Sequence, residues 1–202
     1  MSGLKTYKCI IDESLDSDLQ VEFVALVDRP AIERNFLAFD EKLKFAVDED
    51  KRIISGPAML ADFPIYRNDE AYGEYFVTFE KETILSIVQK FFKQGFIKNF
   101  NLFHDPNQET TGLTIFESFI VDSERGISPM KGFEDAKDGS WFLSAKVEDE
   151  AVWEKIKAGE VKGFSVEGVF QYATFKAQPR ILTDEERLEK IKELLSETGL
   201  GI

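Results

Sequence analysis

His104 is the only histidine in this chain of 202 residues, and Ser165 follows it in the run Gly163-Phe164-Ser165-Val166-Glu167-Gly168. Imidazole titrates near neutral pH without perturbation, so any imidazole-mediated proton transfer within this chain falls to His104. The glycines at 163 and 168 let backbone at Ser165 come close to a substrate. These residue types suit nucleophilic acyl transfer. The hydroxyl attacks, the imidazole takes its proton, and an acid fixes the imidazole tautomer and stabilises the cation. Three carboxylates compete for the acid position: Glu117, Asp105 and Glu167. Asp105 is adjacent to His104, and neighbouring side chains on extended chain point apart. Glu167 shares the parity of Ser165. Glu117 is favoured over both, because it returns on the next strand, where a cross-strand neighbour can reach the ring. The bland alternative is that the histidine is structural and the serine an ordinary strand residue.

The elements that must position these residues are mostly strands. Val21 to Val27, Arg52 to Ser55 and Glu74 to Phe79 read as β segments, the second ending at Gly56-Pro57. Pro64 to Gly73 is polar and turn-rich, and reads as a surface loop. Glu80 to Phe92 changes period, with Ile84, Ile87, Val88 and Phe91 at helical spacing and Gly95 as the stop. Phe100 to His104 is a short strand or strand end, and Asp105 to Gly112 a polar connection. Leu113 to Val121 is a strand that places Glu117 on the face of Leu113 and Ile115, where a carboxylate needs a partner. Asp122 to Gly139 is a long turn-rich segment. Ser140 to Val147 is a strand, Glu150 to Ala158 a short helix, and Gly163 to Tyr172 the last strand. Beyond a linker around Ala177-Gln178-Pro179-Arg180, Thr183-Asp184-Glu185-Glu186 opens an amphipathic helix carrying Leu188, Ile191, Leu194 and Leu195. The division is residues 1–172 as one domain and 173–202 as linker and C-terminal helix.

Composition removes several classes of function. The formal net charge of -13 opposes nonspecific nucleic-acid binding, which needs basic residues against phosphate. Cys9 is the only cysteine, so no intrachain disulfide forms, and this usage suits a reducing compartment. One cysteine and one histidine make a poor zinc site, and Asp48-Glu49-Asp50 lacks the spacing of a calcium loop. No phosphate-binding glycine loop is present. Neither a transmembrane run nor the apolar core of a signal peptide appears, so a cytoplasmic protein without cofactor or metal is expected. Nineteen phenylalanines supply a real hydrophobic core.

Several segments resemble the caudoviral prohead (capsid maturation) proteases, in their phage and prophage serine protease branch. They are Val24-Ala25-Leu26-Val27-Asp28-Arg29-Pro30-Ala31, Ile54-Ser55-Gly56-Pro57-Ala58-Met59, Tyr75-Phe76-Val77-Thr78-Phe79, His104, Glu117-Ser118-Phe119 and Val161-Lys162-Gly163-Phe164-Ser165-Val166-Glu167-Gly168. The resemblance covers residues 5–172 in the family's order. It implies an assemblin-like fold of class α+β, a closed and mostly antiparallel β-barrel with surrounding helices, like that of the herpesvirus maturation proteases. It implies a serine endopeptidase with Ser165 as nucleophile and His104 as general base. Its substrates would be phage scaffold and major capsid proteins, cut inside the procapsid in the host cytoplasm, and the protein could remain in the virion. A homodimer follows by analogy with the herpesvirus enzymes. Those enzymes use a second histidine, which this chain lacks, so a carboxylate must serve, and Glu117 is chosen. Their arginine-bearing oxyanion loop has no clear counterpart, which leaves backbone N–H groups for the oxyanion. The competing expectation is an inactive internal virion or scaffold-associated protein on the same fold.

Overall fold

The computed structural model describes residues 4–28, 46–69 and 73–173. Twelve strands dominate: β1 (Thr6–Ile10), β2 (Val21–Val27), β3 (Ala46–Asp48), β4 (Ile53–Met59), β5 (Ile65–Asp69), β6 (Gly73–Phe79), β7 (Phe100–Leu102), β8 (Asp105–Thr110), β9 (Leu113–Ile120), β10 (Trp141–Val147), β11 (Gly163–Gly168) and β12 (Gln171–Ala173). Two helices, α1 (Lys81–Lys93) and α2 (Glu150–Lys157), and one 3-10 turn at Phe96–Lys98 complete the described elements. The strands form three four-stranded sheets, ordered β12-β1-β6-β5, β3-β4-β10-β9 and β11-β2-β7-β8.

This corrects the expected α+β closed barrel. The described chain is mostly β, and its three sheets are open. Part of the cause lies in Gly163 to Tyr172, which reads as one strand. It ends at Gly168, and the chain resumes as β12, paired with β1 in another sheet. The expected C-terminal helix lies outside the described residues.

Local chemistry explains most elements. Helix α1 buries Ile84, Ile87 and Phe91, and Phe91 packs edge-on against Trp141 with ring centroids 5.5 Å apart. Asp149 caps α2 by accepting from Val152 N at 2.9 Å, and Val152, Trp153 and Ile156 face inward. Strand β10 is the centre of its sheet, so Trp141, Phe142 and Leu143 are all fully buried. Gly56-Pro57 does not end β4. Phe142 pairs with Pro57 and Leu143 with Gly56, so the ladder with β10 carries the strand through both residues to Met59. Pro64 to Gly73 holds β5, which pairs with β6 from Ile65 to Asp69. The segment from 122 to 139 carries no strand or helix but is tied to itself, by the Asp122–Ile127 bridge and by Ser123 Oγ donating to Asp138 at 2.6 Å.

Lys90 is a buried cation on the inner face of α1. Its Nζ donates to the carbonyls of Asp12, Ser17 and Leu19 at 3.0, 2.8 and 3.2 Å. Three carbonyls satisfy the three ammonium donors, so the charge is tolerated inside. The bonds also pin the β1–β2 connection against α1. That connection ends at Gln20, whose carbonyl accepts from Val169 N at 2.9 Å. A Cβ on Gly168 would lie 2.1 Å from the same carbonyl oxygen, so only glycine fits there.

Cys9 is buried between β12 and β6, and desolvation pushes its thiol up to about 12. The unfolded thiol ionises at its lower ordinary value, so the unfolded state loses that proton first as pH rises. Folding stability should therefore hold constant for this group below pH ~9 and fall between there and ~12. Iodoacetamide at pH 8 should modify the folded protein far more slowly than the urea-unfolded chain, read by intact mass; equal rates would contradict the burial.

Candidate active site

Ser165 lies on β11, paired with Ala25 on β2, and Ala25 is paired in turn with Asn101 on β7. Paired residues share a face of the sheet, as do residues two apart on one strand. Ser165, Ala25, Asn101 and Glu167 therefore line one face. Ala25, small and fully buried, separates the serine from the asparagine and leaves room above it for a ring.

The ring arrives from the turn joining β7 to β8. Leu102 pairs with Asp105, so Phe103 and His104 are the two central residues of a two-residue hairpin. Both have positive φ, 58° and 59°. That is the pattern of a type I′ turn, normally made by Asn-Gly or Gly-Gly. Two non-glycine residues in this region cost about 1–3 kcal/mol each, and such strain concentrates at functional sites. Phe103 N donates to Leu26 O at 2.9 Å, which anchors the turn to β2. The turn carries the imidazole back over the sheet face.

There His104 Nε2 lies 3.1 Å from Ser165 Oγ, and Nδ1 lies 3.2 Å from Glu167 Oε2. With the ring proton on Nδ1, the imidazole donates to the carboxylate and Nε2 accepts from the serine hydroxyl. Asn101 Nδ2 donates to the same Glu167 oxygen at 2.9 Å. Asn101 is buried, and this bond holds the carboxylate beneath the ring. Ser165 is only 5% exposed, whereas the side chains of His104 and Glu167 are each 40% exposed. Ser165 is recessed, and His104 and Glu167 face the cleft above it.

The other two carboxylates stand elsewhere. Glu117 belongs to the β3-β4-β10-β9 sheet, where its Oε2 accepts from Ser144 Oγ at 2.5 Å, and Ser55 Oγ donates to Ser144 Oγ at 2.8 Å. Its expected face is lost because β9 bulges: Ser144 pairs with Glu117 but Ala145 pairs with Ile115, so Phe116 is skipped. Asp105 turns onto its own strand, accepting from Gln108 Nε2, Asn107 N and Asn107 Nδ2. The Gln108 bond is the main cause holding its carboxyl below the ordinary range. Sequence reasoning ranked Glu167 below Glu117. The Ser165-Val166-Glu167 spacing was the signal that pointed to it, since alternate residues of a strand share a face.

The site opens into a cleft of about 790 Å³ lined by Asp28, Arg67, Phe103, His104, Glu167 and Tyr172 among others. Among the described residues no cluster of three His, Cys, Asp or Glu side chains could hold a metal ion. Nor is any described helix long and apolar enough to cross a membrane.

Two substitutions separate the carboxylates. Glu167→Gln should lower the rate of a serine-dependent reaction by about 10³–10⁴-fold, whereas Glu117→Gln should cost less than about tenfold and act mainly on stability. Rates of Ser165 acylation by an activated ester, set beside thermal melts, check both, and the reverse order would reassign the acid. Phe103→Asn should relieve the turn and raise stability by about 1 kcal/mol, measured by urea unfolding.

Residues 42–173 match the family described as "Putative phage serine protease XkdF". The uncharacterized protein YqbD of Bacillus subtilis (strain 168) is 26% identical over 177 residues, which is 85% of this chain and 50% of that protein. The chain thus spans half the length of this relative. No solved structure matches.

Proposed function

The chain belongs to the phage serine protease XkdF family, and from that membership we propose that it is a capsid-maturation serine endopeptidase. Its substrates in this reading are the scaffold and major capsid proteins of an assembling phage head, cut inside the procapsid in the host cytoplasm. The observation that carries the reading is the unbroken Ser165–His104–Glu167 hydrogen-bond chain, closed by Asn101.

Ser165 Oγ attacks the peptide carbonyl as its proton passes to His104 Nε2. Glu167 holds the Nδ1 proton and stabilises the imidazolium that forms. The tetrahedral intermediate collapses when the imidazolium gives its proton to the leaving amine, which departs and leaves an ester on Ser165. Water then attacks that ester, with His104 taking its proton, and the acid product leaves with the serine hydroxyl restored. Backbone N–H groups at the cleft hold the oxyanion.

The strained Phe103–His104 turn also supports an enzyme over an inactive structural protein of the same fold. A purely structural role offers no return on that strain, whereas presenting an imidazole to a serine does.

A fluorophosphonate should attach to Ser165 of the purified protein, located by peptide mass spectrometry. Ser165→Ala should abolish labelling, and His104→Ala should slow it by at least about 10³-fold. Co-expression with the phage's scaffold and capsid proteins should yield cut products that Ser165→Ala eliminates. Wild-type protein that neither labels nor cleaves would overturn the reading.

A further inference from the structure

Arg67 stands on β5, paired with Tyr75, in a segment that sequence alone reads as a surface loop. It lines the large cleft together with His104, Ser165 and Glu167. It also lines a second, narrow recess of about 40 Å³, walled by Met59, Leu60, Ile65, Phe79 and Phe164. Ser165 borders both spaces, and among the described residues Arg67 is the only cationic one to do so. The two voids therefore share Ser165 and Arg67 in their walls.

Among the described residues the Arg67 guanidinium makes one hydrogen bond, from Nη1 to the Tyr66 carbonyl at 3.0 Å. Among the described residues it has no ion pair, although acidic side chains outnumber basic ones 38 to 25. Arg52 and Arg125, the other described arginines, each find a carboxylate. The two acidic residues on the cleft wall do not serve it. Glu167 is taken by His104 and Asn101, and Asp28 makes no ion pair among the described residues. A half-buried guanidinium keeps most of its five donors in a planar fork that matches a carboxylate. Apolar walls from Phe79, Val166 and Phe170 exclude water and strengthen such a pairing.

We propose that Arg67 selects a glutamate or aspartate side chain on the substrate residue whose carbonyl Ser165 attacks. That residue's side chain necessarily lies nearest the nucleophile, where the narrow recess takes the aliphatic stem and Arg67 the carboxylate. The proposal rests on the protease reading and adds a substrate class to it.

Three peptidyl diphenyl phosphonates test it, identical except for Glu, Gln or Lys side chains at the phosphonate-bearing residue. The readout is the rate of Ser165 labelling by intact mass, with a simple fluorophosphonate as a side-chain-independent control. The Glu probe should react about 10–100-fold faster than its isosteric Gln counterpart. In Arg67→Gln the Glu-to-Gln ratio should fall close to one, and in Arg67→Glu the Lys probe should become the fastest of the three. Wild-type protein that labels with the fluorophosphonate but shows no preference for Glu overturns the proposal. So does a Glu-to-Gln ratio unchanged by Arg67→Gln, which would mean that the cation serves the reacting centre and not the side chain. Failure of the fluorophosphonate itself removes the protease reading, and this proposal with it.

Discussion

The register of β2 is the constraint on which the site depends. This strand pairs antiparallel with β11 and parallel with β7, so it alone sets where Ser165 stands relative to the turn that carries His104. Its own residue at the crossing point is Ala25, fully buried and small enough to leave room for an imidazole. A slip of one residue would turn Ser165 and Glu167 to the opposite face together. The hydrogen bond from Phe103 N to Leu26 O ties the strained turn to the same strand, so Ser165 and His104 share one reference frame.

Around that frame, several buried polar groups are paired in ways that also place backbone. Lys90 spends its three donors on carbonyls of the β1–β2 connection, and the end of that connection meets the chain at Gly168 and Val169. The end of β11 beyond Glu167 is thereby held against a fixed surface. Asn101 spends its amide N–H on Glu167, so the carboxylate under the imidazole is not free to rotate away. The Ser55–Ser144–Glu117 chain satisfies polar side chains across a different sheet. Its chemistry resembles a relay, but no imidazole reaches it, because the one histidine is engaged elsewhere.

Much of the local structure was legible in the chain. The α1 and α2 periodicities and the β2, β6 and β10 strands all follow from patterning that needs no distant partner. The misreadings share a cause. Pro57 reads as a strand end by residue type, yet the pairing of β10 with Pro57 and Gly56 carries the strand through it. The polar stretch from 64 to 73 looked like a loop because an edge strand needs few apolar residues once β6 supplies the ladder. Glu117 looked inward-facing because parity counting assumes an unbroken ladder, and β9 bulges at Phe116. The closed barrel failed at Gly168, where the chain leaves one sheet for another.

The sequence by itself determined the inventory of the site: one imidazole, one serine between glycines, and a carboxylate two residues beyond it on the same strand face. Those are matters of residue type and of the two-residue period of a strand, and both are local. Only the tertiary structure decided which acid meets the ring, and that an arginine from a polar edge strand joins the cleft. It also decided that two bulky residues hold a turn normally made by glycine and asparagine. Each of these depends on strand register and on contacts between segments far apart in the chain, whose energies no local pattern encodes.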